Sequence, residues 1–154
     1  FQIVYYYFSY FKIAKASEKI NFSVPTGNFG DIYSGYIAKK MGLPINKLVI
    51  ATNKNDILKR VVNTGYYKPL KVEHTVSPSM DIQVASNFER LVFDINACNS
   101  DKTLRLMKDL NERGEFKIEN VDRPPKIIIY PLAILLLIIF GYMNSRRVSL
   151  FSKA

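Results

Sequence analysis

The sequence has 154 residues, 48% of them hydrophobic and 23% charged, which is typical of one globular domain and excludes a disordered chain. A single cysteine, Cys98, cannot form an internal disulfide or a cysteine-based zinc site, so a disulfide-stapled secreted domain is excluded and no metal site is predicted. The net charge of +9 is dispersed, because no basic run exceeds two residues, and nucleic-acid binding is therefore not expected.

Residues 1–13 are apolar and aromatic almost throughout. This stretch is shorter than the about 20 residues needed to span a bilayer, and it predicts a buried helix. The chain begins at Phe1 within this stretch and without a methionine, which suggests an internal fragment of a longer protein.

Strand and helix patterns then alternate. Residues 21–25 are predicted to form a strand, residues 26–30 a turn, and residues 31–41 a helix that Gly42 and Pro44 end. Residues 47–52 have the composition of a buried strand, and residues 57–63 that of a helix closed by Gly65. This order is the βαβ pattern of an open parallel sheet, so the predicted fold class is α/β.

Two amphipathic helices are predicted after a loop at residues 66–80. Ser86 and Glu89 have the spacing of a capping box, which places a helix start there. A second helix is expected from about residue 101, and Gly114 is expected to end it.

One segment carries candidate chemistry, the sequence SVPTGNFGD at residues 23–31. A strand that enters a glycine-bracketed turn and then a helix directs backbone N–H groups and the positive end of the helix at one point, which suits a phosphate. Gly27 and Gly30 would allow positive φ and a close approach to an anion, and the side chains of Thr26 and Asn28 can add hydrogen bonds. The alternative is a plain strand-to-helix turn with Asp31 as the N-cap. Neither a P-loop lysine nor a Gly-x-Gly-x-x-Gly spacing is present.

Several motifs in one register resemble those of the threonine synthase family, which uses pyridoxal 5′-phosphate (PLP). They are SVPTGNFGD at 23–31, GYIAKKMGLP at 35–44, ATNKND at 51–56 and SPSMDIQVASNFERL at 77–91, and QIVYY at 2–6 is similar to the helix before the family's phosphate loop. The resemblance covers about residues 1–120, a partial PLP-binding domain. It implies a fold-type II architecture similar to tryptophan synthase β, an open parallel sheet with flanking helices.

The resemblance also implies a site and a reaction. In the family the Gly-Asn-Phe-Gly loop binds the PLP phosphate, and this role falls on Gly27, Asn28, Phe29 and Gly30, with Thr26 and Asp31 as flanking candidates. The family converts O-phospho-L-homoserine and water to L-threonine and phosphate, which makes it a carbon–oxygen lyase acting on phosphates. The Schiff-base lysine matches no lysine of this chain. We therefore expect this piece to supply the phosphate loop and to be inactive alone.

Residues 121–154 depart from the family pattern. Residues 127–143 are 17 residues without a charge and are followed by Arg146 and Arg147, so they predict an apolar C-terminal helix. One interpretation is a transmembrane anchor, which would place the protein at a membrane. The other is out-of-frame sequence after a frameshift, in which case the cytoplasmic location of the family applies.

Two rival functions stay open at this point. The first is another fold-type II PLP enzyme, such as a serine/threonine dehydratase-like lyase, although the Asn-Phe pair between Gly27 and Gly30 argues against it. The second is a membrane-anchored, non-catalytic α/β module that uses residues 127–143.

Overall fold

A computed structural model describes residues 1–118 and 127–131 of the chain. The elements in chain order are α1 (Ile3–Ile13), β1 (Ile20–Pro25), α2 (Gly30–Lys40), β2 (Ile45–Thr52), α3 (Ile57–Thr64), β3 (Tyr66–Tyr67), a 3₁₀ turn (Pro78–Met80), α4 (Phe88–Ile95), α5 (Ser100–Arg113), β4 (Phe116–Lys117) and β5 (Ile127–Pro131).

Three strands form a parallel sheet in the order β1-β2-β5. Ser23 lies opposite Val49 in the first pair, and Val49 lies opposite Ile128 in the second. Helix α2 connects β1 to β2, as parallel neighbours require. A separate antiparallel pair joins β3 to β4. The predicted α/β class with an open parallel sheet is confirmed.

Strand β2 is the centre of the described core. Its residues from Leu48 to Thr52 are all buried, as expected for a strand between two others. Helix α2 packs over it closely, because Gly35 has no side chain to separate the helix from Leu48 and from Tyr6 of α1.

The helix ends follow the sequence signals. Gly65 and Gly114 both take left-handed φ values of +75° immediately after α3 and α5. The side chain of Asn99 accepts a hydrogen bond of 2.9 Å from the Lys102 N–H and caps the start of α5. The predicted helix ends at Gly65 and Gly114 are confirmed, and the Asn99 cap is a feature that the sequence analysis did not name.

Helix α1 is less buried than predicted. Tyr6 and Tyr10 are buried, whereas Tyr5, Phe8 and Phe11 are 70%, 62% and 73% exposed. The prediction of a buried helix is therefore wrong for one face, because α1 packs against α2 on one side and no element within residues 1–118 covers the other.

The predicted capping box is also wrong. The N-cap of α4 is Asn87, and no side chain caps this helix. The Asn87 N–H instead donates a 3.1 Å bond to the Asn28 carbonyl, and the Phe88 N–H donates to Ala85. A contact with the distant turn at residue 28 thus decides where α4 begins, and the local spacing of Ser86 and Glu89 does not.

The apolar tail begins as a strand. Residues 127–131 form β5, which pairs with Leu48 to Thr52 of β2, so the predicted apolar helix is wrong for these five residues. Three consecutive isoleucines favour a strand because they are β-branched, and Pro131 is disfavoured inside a helix. The rest of the predicted transmembrane segment lies outside the described residues. Within residues 1–118 and 127–131, no helix is long and apolar enough to cross a membrane, so the transmembrane prediction has no support there.

Candidate functional site

The predicted phosphate turn lies at the carboxyl end of β1, where it leads into α2. The Thr26 N–H donates a 3.2 Å bond to the Ala51 carbonyl, so the first residue of the turn is still held by β2. Ligands of open parallel sheets bind beyond the carboxyl ends of the strands, and this turn occupies that edge. The six predicted residues 26–31 are thus together on one short segment.

Thr26 and Asp31 close the turn on itself. Thr26 is only 2% exposed, and its hydroxyl donates a hydrogen bond to the Asp31 carboxylate. The same carboxylate oxygen accepts a 2.8 Å bond from the Ile32 N–H. Asp31 lies in the first turn of α2, and the N-cap position belongs to Phe29, which makes no side-chain cap. The alternative that Asp31 is the N-cap is therefore wrong.

Phe29 has the strained backbone of the turn. Its φ is +71°, in the left-handed region, while neither Gly27 nor Gly30 has a positive φ. The positive φ that Gly27 and Gly30 would allow is thus adopted at neither glycine. The Phe29 ring is 1% exposed and meets the Phe88 ring edge-on, with centroids 5.1 Å apart. Burial of this ring fixes a backbone conformation that costs of order 1–3 kcal/mol elsewhere in proteins.

The two glycines allow a neighbouring segment to pack directly on the turn. A Cβ on Gly27 would lie 2.9 Å from the Ile82 Cδ1 and 3.5 Å from the Met80 Cα. A Cβ on Gly30 would lie 3.1 Å from the Asn87 Nδ2. Glycine at both positions leaves the space that residues 80–87 occupy against the turn.

The turn presents a row of backbone donors that have no acceptor in the described part of the chain. No residue in the part of the chain that the structure describes accepts a hydrogen bond from the backbone N–H groups of Gly27, Asn28, Phe29, Gly30 and Asp31. The last two open α2, whose first N–H groups have no acceptor within the helix and carry its partial positive charge. Successive N–H groups around a left-handed residue form a concave anion site. The residues present therefore fit a phosphate.

Tyr6 ties α1 to this turn. Its hydroxyl donates a 2.8 Å bond to the Asp31 carbonyl. Burial, aided by the charge of Asp31, raises the pKa of Tyr6 well above its ordinary value, so the hydroxyl stays a donor. The start of α2 is thus fixed from α1 as well as from β2.

A polar cluster beside the turn could not be assigned a role from the sequence. The Asp81 carboxylate accepts bonds from the side-chain nitrogens of Asn53 (2.7 Å) and Asn55 (3.1 Å), which follow β2. It also accepts from the Thr75 N–H (2.8 Å) and hydroxyl (2.7 Å). The bond from the Thr75 N–H is the main reason that the pKa of Asp81 lies below its usual value. The sequence signal was the polar run ATNKND directly after a buried strand.

No family model matches the sequence. The chain is 44% identical over 119 residues to the threonine synthase of Pseudomonas aeruginosa, covering 77% of this chain and 25% of that protein. It is 57% identical over 95 residues to the threonine synthase of Saccharomyces cerevisiae, covering 60% of this chain and 18% of that protein. The chain thus spans about a quarter or less of the curated relatives it matches.

Two solved structures agree with this similarity. The PLP-bound threonine synthase from Brucella melitensis matches with a TM-score of 0.78 and 43% identity, over 84% of this chain and 29% of that one. The yeast threonine synthase matches with a TM-score of 0.79 and 39% identity, over 85% of this chain and 29% of that one. The fold implied by the sequence motifs is therefore confirmed for the part of the chain that these structures cover.

Proposed function

We propose that this chain, a homologue of threonine synthase over about a quarter of that enzyme's length, binds the phosphate of PLP at residues 26–31. The observation that carries the proposal is the row of N–H groups from Gly27 to Asp31 at the start of α2, which have no acceptor among residues 1–118 and 127–131. A phosphate dianion needs several donors at once, and a helix N-terminus adds about 0.3–2 kcal/mol of favourable electrostatic interaction.

The six predicted residues divide into two roles. The backbones of Gly27, Asn28, Phe29 and Gly30 would contact the phosphate, with the backbone N–H of Asp31 beside them. Thr26 and Asp31 would brace the turn, because the Thr26 hydroxyl already donates to the Asp31 carboxylate and a carboxylate repels a phosphate. Bracing from within the turn keeps the donors in place before the ligand arrives, which lowers the entropy lost on binding.

The reaction proposed for the intact enzyme is the conversion of O-phospho-L-homoserine and water to L-threonine and phosphate, a carbon–oxygen lyase reaction. When bound, PLP supplies an electron sink for carbanion chemistry. The residues described here hold the cofactor by its phosphate, and the buried ring of Phe29 and the Tyr6 hydroxyl orient the turn that does so. No lysine of this chain is assigned to the cofactor, so we expect binding without turnover by this chain alone.

Phosphate recognition is tested by titration calorimetry with pyridoxine 5′-phosphate. This probe has an alcohol in place of the aldehyde, so it cannot react with surface lysines. The chain should bind it and should not bind pyridoxine, which has no phosphate. Equal affinity for the two, or affinity for neither, would contradict the assignment.

A matched pair of glycine variants locates the binding. Gly30→Val should weaken binding, because its Cβ would press on the Asn87 side chain and displace the turn. Gly42→Ala strains the backbone at the opposite end of α2, where φ is +98° and no atom lies within 4 Å of the new Cβ. This control should keep the affinity of the unmodified chain.

The substrate is tested in a chimera in which residues 1–118 replace the matching segment of the Pseudomonas aeruginosa threonine synthase. The expected result is phosphate release from O-phosphohomoserine. Deamination of serine or threonine without phosphate release would instead support the dehydratase-like alternative.

A further inference from the structure

Residues 80–87, called here the back-wall segment, lie against the phosphate turn on the side of its glycines. We propose that Asp81 is a positioning residue for this turn: it fixes Met80 and Ile82 behind Gly27 and thereby sets where the phosphate-binding N–H groups lie. The inference rests on the proposed function.

Asp81 connects the back-wall segment to the edge of the sheet through hydrogen bonds. Its carboxylate accepts four hydrogen bonds of 2.7–3.1 Å, from Asn53, Asn55 and twice from Thr75. Asn53 and Asn55 follow β2 directly, and the Asn53 Oδ1 accepts a 2.9 Å bond from the Asn55 N–H. The carboxylate is thus bonded to the residues that follow β2, the strand whose Ala51 carbonyl also holds the start of the phosphate turn.

A second residue of the back-wall segment, Gln83, is also held by hydrogen bonds to neighbouring elements. Gln83, 6% exposed, donates a 3.3 Å bond to the Asn55 Oδ1 and accepts a 3.0 Å bond from Arg60 of α3. Ile82 therefore lies between two anchored residues, and its Cδ1 occupies the space where a Gly27 side chain would be. A shift of Asp81 moves Ile82, and a shift of Ile82 opens or closes the space behind Gly27.

A carboxylate suits position 81 because it accepts all four hydrogen bonds from its three partner residues. An asparagine has one acceptor oxygen and one NH₂ group, so its nitrogen would replace the carboxylate oxygen that accepts from the Thr75 N–H and would face a donor there. Asp81→Asn should therefore loosen the fastening while changing the size of the side chain very little.

Pyridoxine 5′-phosphate titration of the full chain tests the proposal. Asp81→Asn should raise the dissociation constant about tenfold, by analogy with the loss of a hydrogen-bond partner that orients a metal ligand. Removal of a negative charge near an anion would by itself tighten binding, so weaker binding separates positioning from simple electrostatics. The matched control is Glu73→Gln, which removes a charge from the same loop, where the carboxylate makes an exposed 3.6 Å pair with Lys54. It should bind as tightly as the unmodified chain or slightly more tightly.

A second readout needs no ligand. In the unmodified chain and in Glu73→Gln, the Ile82 δ-methyl should give a nuclear Overhauser contact to the Gly27 α-protons, and Asp81→Asn should weaken it. If Asp81→Asn does not fold, Ile82→Val keeps the test open, because it deletes the Cδ1 behind Gly27 and should lower affinity in the same direction.

The outcomes separate the two proposals. Unchanged or tighter binding by folded Asp81→Asn, or equal losses in Asp81→Asn and Glu73→Gln, would overturn the positioning role. Absence of binding by the unmodified chain would overturn the proposed function, and the methyl contact would then decide by itself whether Asp81 positions the turn.

Discussion

Replacement of Gly35 by alanine tests the close contact among α1, α2 and β2. A Cβ at this position would lie 2.6 and 2.7 Å from the Cε1 and Cζ atoms of Tyr6 and 2.9 Å from the Cδ2 of Leu48. Neither neighbour can move freely, because Leu48 is 1% exposed and the Tyr6 hydroxyl is bonded to the Asp31 carbonyl. The new methyl group must therefore displace α2, and the phosphate turn at its start should move with it.

The magnitude follows from two opposing effects. Alanine is favoured over glycine inside a helix by about 1 kcal/mol. Overpacking of a tight core costs about 1–3 kcal/mol, and three contacts below 3.0 Å place Gly35→Ala at the upper end. The net loss in the free energy of unfolding should be about 2 kcal/mol, or about 4–8 °C in Tm for a chain of this size.

Urea unfolding followed by circular dichroism measures this loss. The double variant Gly35→Ala/Tyr6→Leu lacks the two aromatic atoms nearest the new Cβ, so it should lose less than the sum of the two single variants. A Gly35→Ala variant as stable as the unmodified chain, or strictly additive losses, would refute the packing described here.

Three further predictions concern the turn and its supports. Gly27→Ala should weaken binding of pyridoxine 5′-phosphate. Addition of Ile82→Val should restore part of the lost affinity, because that change deletes the atom 2.9 Å from the new Cβ. Additive effects of the two changes in the titration would contradict this. Tyr6→Phe should lower the free energy of unfolding by about 1 kcal/mol, measured in urea, whereas Tyr7→Phe, with a long and exposed 3.4 Å bond, should be neutral. The difference in the free energy of unfolding between the unmodified chain and Asp81→Asn should have its full value above about pH 5. It should vanish as pH falls through the lowered native pKa of Asp81, because protonation removes the stability that the hydrogen-bonded carboxylate contributes. Urea unfolding from pH 6 to pH 2 checks it, and a difference independent of pH would be the contrary result.

Local signals predicted the regular elements well. The parallel β1-α2-β2 unit and the glycine ends of α3 and α5 depend on hydrophobic runs and on left-handed glycines, which a sequence displays directly. The start of α4 was misplaced because the Asn87 N–H bonds to a carbonyl 59 positions earlier, at Asn28, and local spacing contains no sign of such a contact.

Two other features differ from the sequence analysis for the same reason, because each depends on a tertiary contact that the local sequence does not display. The positive φ of the turn belongs to Phe29, since burial of its ring against Phe88 fixes the backbone there. The apolar composition of the tail predicts a helix, yet residues 127–131 pair with β2 on the side away from β1, where three β-branched residues suit a strand. The position of a segment among its tertiary partners decided each of these cases.

The central claim is that the backbone N–H groups of residues 27–31 bind a phosphate. The most direct measurement is an ¹H–¹⁵N spectrum of the chain titrated with pyridoxine 5′-phosphate, with pyridoxine as the control. The account predicts saturable shifts of the amides of Gly27 to Asp31 with the phosphorylated probe alone. Shifts centred elsewhere in the chain, or the same shifts with pyridoxine, would contradict it.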